Sequence, residues 1–384
     1  MHIGINAQLL SFAQNYRNGG VSRYIRYLLT GLARRPGGYR YTVFVNGQDI
    51  VERLGIQHPQ ITFFPAPWPE AKPAGRIAWE QCALPFLLHQ MHIDVLHSPV
   101  NVLPRWVPSN CATVVTLHDL AFLRFPEVLT RAKSVYHRIF TIDSLQRATR
   151  IVTVSDSTKR DAHELADIPM ERMQTVYPCI DECFSNVLDK GKVQSFRQEQ
   201  GLTEGYILYL GTLEPRKNIP TLIDAYKRLR QEYGVRAKLV LAGGKGWLYD
   251  SIFARVQELG LETEVVFAGF VVDSEQALWY QAASVFVYPS LYEGFGLPVA
   301  EALASGVPVV TSNVSSLSEA GAQLAVCVDP HSSEALSEAL YQALTDKPLQ
   351  EKCRALAPTL AQRFSLQVMV EQTIMVYEQA AFVL

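Results

Sequence analysis

Apolar residues recur along the chain in two rhythms. Short continuous runs, several rich in β-branched or aromatic residues, stand at His2–Ala7, Tyr41–Asn46, Ile61–Phe64, Asp94–His97, Thr113–Leu117, Ile151–Val154 and Gln174–Tyr177. They return at Tyr206–Leu210, Lys238–Ala242, Val265–Phe267, Val285–Tyr288 and Val307–Thr311. Runs of this length and composition predict strands of parallel sheets covered on both faces. Between them apolar positions fall at helical spacing, as in Val21, Tyr24, Ile25, Leu28, Leu29 and Leu32, or Leu222, Ile223, Tyr226 and Leu229. Further helices are predicted over 131–150, from a Ser155 cap through Glu164, over 276–283, 332–346 and 348–363, and from Leu366 to Phe382. Strand–helix alternation played through twice predicts an α/β protein with two doubly wound domains. The pattern weakens from Pro178 to Arg197, which places a linker there.

One stretch, Ser284–Asn313, concentrates the candidate chemistry. Pro289 ends the strand Val285–Tyr288. Gly294 and Gly296 let the backbone turn and approach a ligand, and Pro298 fits a first helical turn. Gly306 supplies a C-terminal cap before the next strand. Loop amides and a helix N-terminus at the carboxyl end of a parallel strand make an anion site. Glu293 and Glu301, eight residues apart, suit hydroxyls rather than phosphate, so the stretch points to a ligand carrying phosphates and sugars together. Other strand ends add candidates. Gly19-Gly20 precedes a helix, a second anion cradle or a simple turn. His118-Asp119 follows the strand Thr113–Leu117, with Asp119 suited to capping. Arg216 and Lys217 sit in the loop after Tyr206–Leu210.

Bulk properties narrow the classes. At 384 residues the chain exceeds one ordinary core. A formal net charge of -2 argues against a nucleic-acid partner. Charge is unevenly spread: residues 1–188 hold 19 Lys+Arg against 15 Asp+Glu, and no acid precedes Asp49. That basic opening fits phosphate, an anionic lipid or an acidic substrate, or else a solvated helix face. Segment 65–85, rich in Pro and aromatics, fits a variable acceptor surface or irregular packing. The six cysteines form no CxxC pair and no zinc spacing, and mostly occupy apolar segments, which suits buried thiols in a reducing cytoplasm. The first residues predict a strand rather than a signal peptide, and no apolar run is long enough to span a membrane. There is no GxGxxG after the first strand, no P-loop and no DxD-like acidic pair in a suitable loop.

The motifs GTLEPRKN (Gly211–Asn218), GFV (Gly269–Val271) and YPSLYEGFGLPVAEALASGVPVV, with NGG at Asn18–Gly20 and THDL-type sequence at Thr116–Leu120, resemble the retaining nucleotide-sugar glycosyltransferases of the GT-B architecture, family 4. The likeness covers most of the chain and is densest in its second half; Cys179 in YPCID departs from the family's usual glycine. It implies two Rossmann-like domains facing each other across a cleft, with the last helix returning to the first domain: 1–188 with 367–384 on the acceptor side, and 189–366 on the donor side. It implies a UDP- or GDP-linked hexose as donor and no metal or other cofactor; the basic first helix, with Arg34 and Arg35, and segment 65–85 point to a glycan or lipid-linked saccharide as acceptor and to peripheral membrane contact. Arg216 and Lys217 would neutralise the donor diphosphate, with the amides of Gly20 and of Phe295, Gly296 and Leu297. Glu301 would accept from the ribose hydroxyls and Glu293 from a hydroxyl of the transferred sugar. His118 would touch that sugar, Val271 would lie by the base, and Gly19, Gly211, Ser290 and Gly294 would complete the donor site. Retention is then expected from a front-face departure rather than from double displacement on Glu293, since the family sets that carboxylate against hydroxyls. A sugar-nucleotide epimerase, a phosphorylase and an inactive binding protein share the architecture and remain as alternatives.

Overall fold

The computed structural model describes residues 1–13, 19–66, 73–125, 131–202 and 205–383, without the side chains of 73 and 131–137. Arg17 and Asn18, the centre of the Pro/aromatic segment (67–72) and the side chains of Arg131 and Lys133 therefore lie outside the described residues. The chain divides into two compact units, Met1–Cys179 with Leu366–Leu384, and Ile180–Ser365.

Among the described residues the first unit holds seven strands: β1 (His2–Asn6), β2 (Arg40–Asn46), β3 (Ile61–Ala66), β4 (Val95–Ser98), β5 (Ala112–Leu117), β6 (Arg150–Thr153) and β7 (Met173–Thr175). They pair in parallel in the order β3-β2-β1-β4-β5-β6-β7. Ile3 lies opposite Tyr41 on one side and Val95 on the other, so the first strand is an interior strand of the sheet. Its Ile3 and Ile5 are fully buried with Leu28 and Leu32 of the helix Gly20–Arg34. The last helix, Leu366–Ala381, closes the same core with Met369, Val370, Val376 and Tyr377, a stripe at helical spacing. A polar contact fixes its register: the buried His97 ring bonds Tyr377 Oη through Nδ1 (2.7 Å) and Thr116 Oγ1 through Nε2 (2.8 Å). Burial pushes the His97 pKa down to about 3, so the ring is neutral, donating through one nitrogen and accepting through the other.

The second unit repeats the plan with β8 (Tyr206–Leu210), β9 (Lys238–Ala242), β10 (Val265–Gly269), β11 (Val285–Tyr288), β12 (Val309–Ser312) and β13 (Val326–Val328). All pairs are parallel, in the order β10-β9-β8-β11-β12-β13, the winding of the first six strands of the other sheet. The order reverses direction between β8 and β11, and that switch point is where doubly wound sheets hold ligands. At its carboxyl edge Gly243 passes so close to the backbone that a Cβ there would sit 1.9 Å from the Gly211 carbonyl oxygen.

Several local expectations change. The stretch read as a linker carries the helix Lys190–Glu199, capped by Asp189, and residues 180–188 belong with the second unit rather than the first. Leu188 N donates to Gln281 Oε1 at 2.9 Å and Phe184 packs edge-on to Tyr280, which is why the boundary falls at 179/180. The Pro/aromatic segment contains the helix Pro73–Gln90, which runs through Pro85. Burial of Trp79, Leu84 and Leu88 outweighs the roughly 3 kcal/mol that an interior proline costs. The cysteines are less uniformly buried than expected: Cys82 and Cys327 are exposed, and all six are free.

Candidate active site

The carboxyl ends of β8 and β11 bring four of the expected residues together. After β8, Glu214 enters a short turn, Pro215–Lys217, that ends at Asn218 in the left-handed region. The turn presents Arg216 and Lys217 in succession, and its register is tied to the next loop: Leu291 N donates to the Arg216 carbonyl at 2.9 Å, and Asn218 Nδ2 donates to the carbonyls of Pro289 (3.2 Å) and Pro330 (2.7 Å). After β11, Pro289 ends the strand and the loop folds Glu293 back onto both cations. Lys217 Nζ lies 2.5 Å from Glu293 Oε1, and Arg216 donates to Oε2 at 3.2 Å. The Ser290 hydroxyl is 2.6 Å from Oε1, and Lys217 Nζ also reaches the Tyr288 hydroxyl at 2.7 Å.

The electrostatics follow from this packing. Burial alone would raise the Glu293 pKa; Arg216, Lys217 and the Ser290 hydroxyl outweigh it and hold the carboxyl down to about 2. Glu214, itself buried, takes the second arm of Arg216 at 3.0 Å. The cluster thus contains two cations and two carboxylates, rather than two uncompensated cations awaiting a phosphate. Glu293 still keeps acceptor capacity. A carboxylate has about four lone-pair positions; Oε1 uses two, on Lys217 and Ser290, and Oε2 one, on Arg216. One position on Oε2 is left for a hydroxyl.

The glycine loop beside the cluster has the predicted form. Gly296, at φ 97°, caps the helix Leu297–Ala304, with Pro298 in its first turn. A Cβ at Gly296 would be strained and only 2.8 Å from Leu317 Cδ2. Leu297 opens the helix, so its N–H has no intrahelical partner. The loop is pinned from behind: Glu293 N donates to Ser315 Oγ at 3.1 Å and Ser316 Oγ donates to the Glu293 carbonyl at 2.9 Å. Glu301 differs from the expectation of an open double acceptor. It is fully buried on that helix and accepts from the Tyr280 hydroxyl at 3.0 Å. The Gly211 amide is occupied by the Ala242 carbonyl at 2.9 Å, and Val271 is buried just beyond β10.

In the first unit His118 follows β5. Its backbone N–H donates to Asn101 Oδ1 and its Nε2 lies 3.0 Å from the Pro99 carbonyl. A carbonyl can only accept, so Nε2 carries the proton. Burial lowers the ring's pKa, against the pull of Pro99 and Asp119. The neutral ring therefore presents Nδ1 as an acceptor. Tyr24 stands edge-on to it, centroids 5.1 Å apart. Asp119 turns to the Ala121 amide at 3.1 Å, a capping contact. Gly19 and Gly20 open the helix Gly20–Arg34, where a Cβ on Gly20 would meet only open space.

Sequence reasoning overlooked Glu214, Tyr280, Tyr288, Ser315 and Ser316. Glu214 and Tyr288 lay within motifs already singled out, GTLEPRKN and YPS, but only distance shows that they are partners of the cations. The serine pair had no signal in a strand–helix pattern.

Residues 18–183 match the family model Glycosyltransferase Family 4 and residues 192–359 match Glycosyl transferases group 1. The chain is 34% identical over 287 residues to the O-antigen chain mannosyltransferase B of Escherichia coli, covering 74% of each. It is 27% identical to the serotype-specific mannosyltransferase WbdA of E. coli over 95% of this chain, but spans only 46% of that relative. Sucrose-phosphate synthase of Thermosynechococcus elongatus superposes over 100% of both chains with a TM-score of 0.79 at 21% identity, which establishes the GT-B fold. The protein is a glycosyltransferase, and it belongs to family 4, the group 1 glycosyltransferases.

Proposed function

We propose that the protein is a retaining, metal-independent hexosyltransferase that moves a sugar from a nucleotide diphosphate donor to a hydroxyl of a glycan or lipid-linked saccharide. GDP-mannose is the first donor to test, because the E. coli relatives are named mannosyltransferases; UDP-hexoses come second. The observation that carries this proposal is the Arg216–Lys217–Glu293–Ser290 cluster at the sheet's switch point. Fixed cations and helix-terminal amides favour the departing diphosphate more than the intact donor, because negative charge grows there as the bond breaks. On this reading Arg216 and Lys217 supply the charge that a metal supplies elsewhere, and Glu293 orients a hydroxyl of the sugar through its remaining Oε2 position; the Nδ1 of His118 is an acceptor suited to a sugar hydroxyl. Glu301 takes the ribose once Tyr280 yields its hydrogen bond, and the glycine loop at Gly294 lies against the donor.

The chemistry balances without an enzyme nucleophile. The bond from the anomeric carbon to the phosphate oxygen breaks with its electrons going to phosphate. The acceptor oxygen attacks the same face, and its proton passes to that phosphate oxygen. A double displacement would instead need Glu293 as nucleophile. A carboxylate held near pKa 2 by two cations and a hydroxyl is a weak one, with three of its four lone-pair positions already accepting hydrogen bonds. Six free thiols support a reducing, cytoplasmic setting. Among the described residues no helix is long and apolar enough to cross a membrane. A donor screen with an acceptor glycan, run in chelator and read by NMR of the new anomeric centre, tests the proposal. The expected product keeps the donor's configuration; inversion, or activity only with added metal, overturns it.

A further inference from the structure

The second unit carries a cavity of about 920 Å³ at the other edge of its sheet. Ala237, Ser284 and Pro308 line it, each the residue immediately before β9, β11 or β12. The Glu293 cluster follows the opposite ends of the strands, so a four-residue strand, about 13 Å, stands between the two places. The cavity is not part of the donor site.

Its charge is one-sided. Lys190, Arg197, Lys347 and Arg354 line it, and among the described residues no Asp or Glu does. Two neighbouring carboxylates are used elsewhere: Asp189 caps its helix by accepting from Lys192 N at 3.1 Å, and Asp346 accepts from Leu349 N at 3.0 Å; Glu351 lies on the Lys347–Arg363 helix but does not line the cavity. None of the four cations makes an ion pair among the described residues. Three are held: Arg197 Nε donates to the Ala282 carbonyl at 2.7 Å, Lys347 Nζ donates to Gln350 Oε1 at 3.4 Å, and the Arg354 stem crosses Gly306, where a Cβ would come within 3.5 Å of Arg354 Cγ. Like charges around one concavity repel each other and concentrate a counter-charge. A phosphomonoester carries about -1.5 to -2 at neutral pH, so two phosphate groups match four cations. Ser185, Ser305, Gln194 and Gln198 add hydroxyl and amide partners, and the volume is that of a small-molecule site.

We propose that this cavity binds a small, hydroxyl-bearing molecule with two phosphate groups, at a place separate from the sugar-nucleotide site. The test is calorimetric titration of the full chain with fructose 1,6-bisphosphate and with inorganic pyrophosphate, with and without GDP, at two salt concentrations. Binding is expected for at least one probe, undiminished by GDP and weakened by salt. The double variant Lys347→Gln/Arg354→Gln removes two exposed charges and should weaken it by about tenfold or more while thermal unfolding stays unchanged. No binding of either probe at millimolar concentration, loss of binding on adding GDP, or equal affinity in the folded variant would each overturn the proposal.

Discussion

Replacing Glu293 by Gln keeps the shape of the side chain and removes its charge, leaving the buried Lys217 ammonium hydrogen-bonded to neutral oxygens alone, the Tyr288 hydroxyl and the new amide. The native carboxyl titrates at about 2, against an ordinary value of 4.5. That difference corresponds to about 3 kcal/mol favouring the ionised, folded form at neutral pH. A depressed carboxyl pKa stabilises above the unfolded value and loses its effect as pH falls through the folded one. The contribution is therefore about 3 kcal/mol at pH 7 and about 2 kcal/mol at pH 3.5, and it vanishes below pH 2. Native-state hydrogen exchange at the β8 and β11 amides reads this directly in both proteins. Glu293→Gln should lower their opening free energy by about 3 kcal/mol at pH 7, and the gap to wild type should narrow on acidification. A gap under about 1 kcal/mol at pH 7, or one that does not narrow, would refute the ion-pair account. The same variant separates the two routes to retention: turnover should fall with no sugar bound to the wild-type protein, whereas a glycosyl–Glu293 adduct in mass spectrometry would establish double displacement.

Gly296→Ala places a Cβ at φ 97° and 2.8 Å from Leu317, so the donor loop should shift, costing about 1–3 kcal/mol in unfolding experiments and weakening nucleotide affinity. Gly243→Ala meets the Gly211 backbone and should leave little folded protein, measured as soluble yield and circular dichroism; a stable variant would mean that the β8–β9 edge is looser than described. Tyr377→Phe strands one buried nitrogen of His97 and should lower protection of the last helix by about 1–3 kcal/mol, with donor affinity unaffected.

The fold was legible because both signals it needs are local. Fully buried parallel strands such as Val285–Tyr288 read as unbroken apolar runs, and the helices between them carry one apolar stripe each. What escaped was decided by tertiary contacts. The three-residue strand Val326–Val328 is too short for a pattern and exists because Val310–Ser312 pairs with it. The helix through Pro85 defies its own sequence because Leu84 and Leu88 are buried. At the site, residue identities and their strand-end placement could be read off the motifs, but the ionic partnership could not. Glu293 and Lys217 are 76 residues apart, and nothing in either segment indicates that the carboxylate folds back on the cation. The burial of Glu301 against Tyr280 was hidden for the same reason.

The central claim is that Arg216 and Lys217 stabilise a departing sugar-nucleotide diphosphate. Its most direct test is the single-turnover rate of sugar transfer by wild type and Lys217→Gln, each saturated with the donor found in the screen and held where circular dichroism shows both folded. Loss of one fixed donor to developing charge predicts a rate lower by about 10²–10³. A variant that transfers sugar within a few-fold of wild type would contradict the claim.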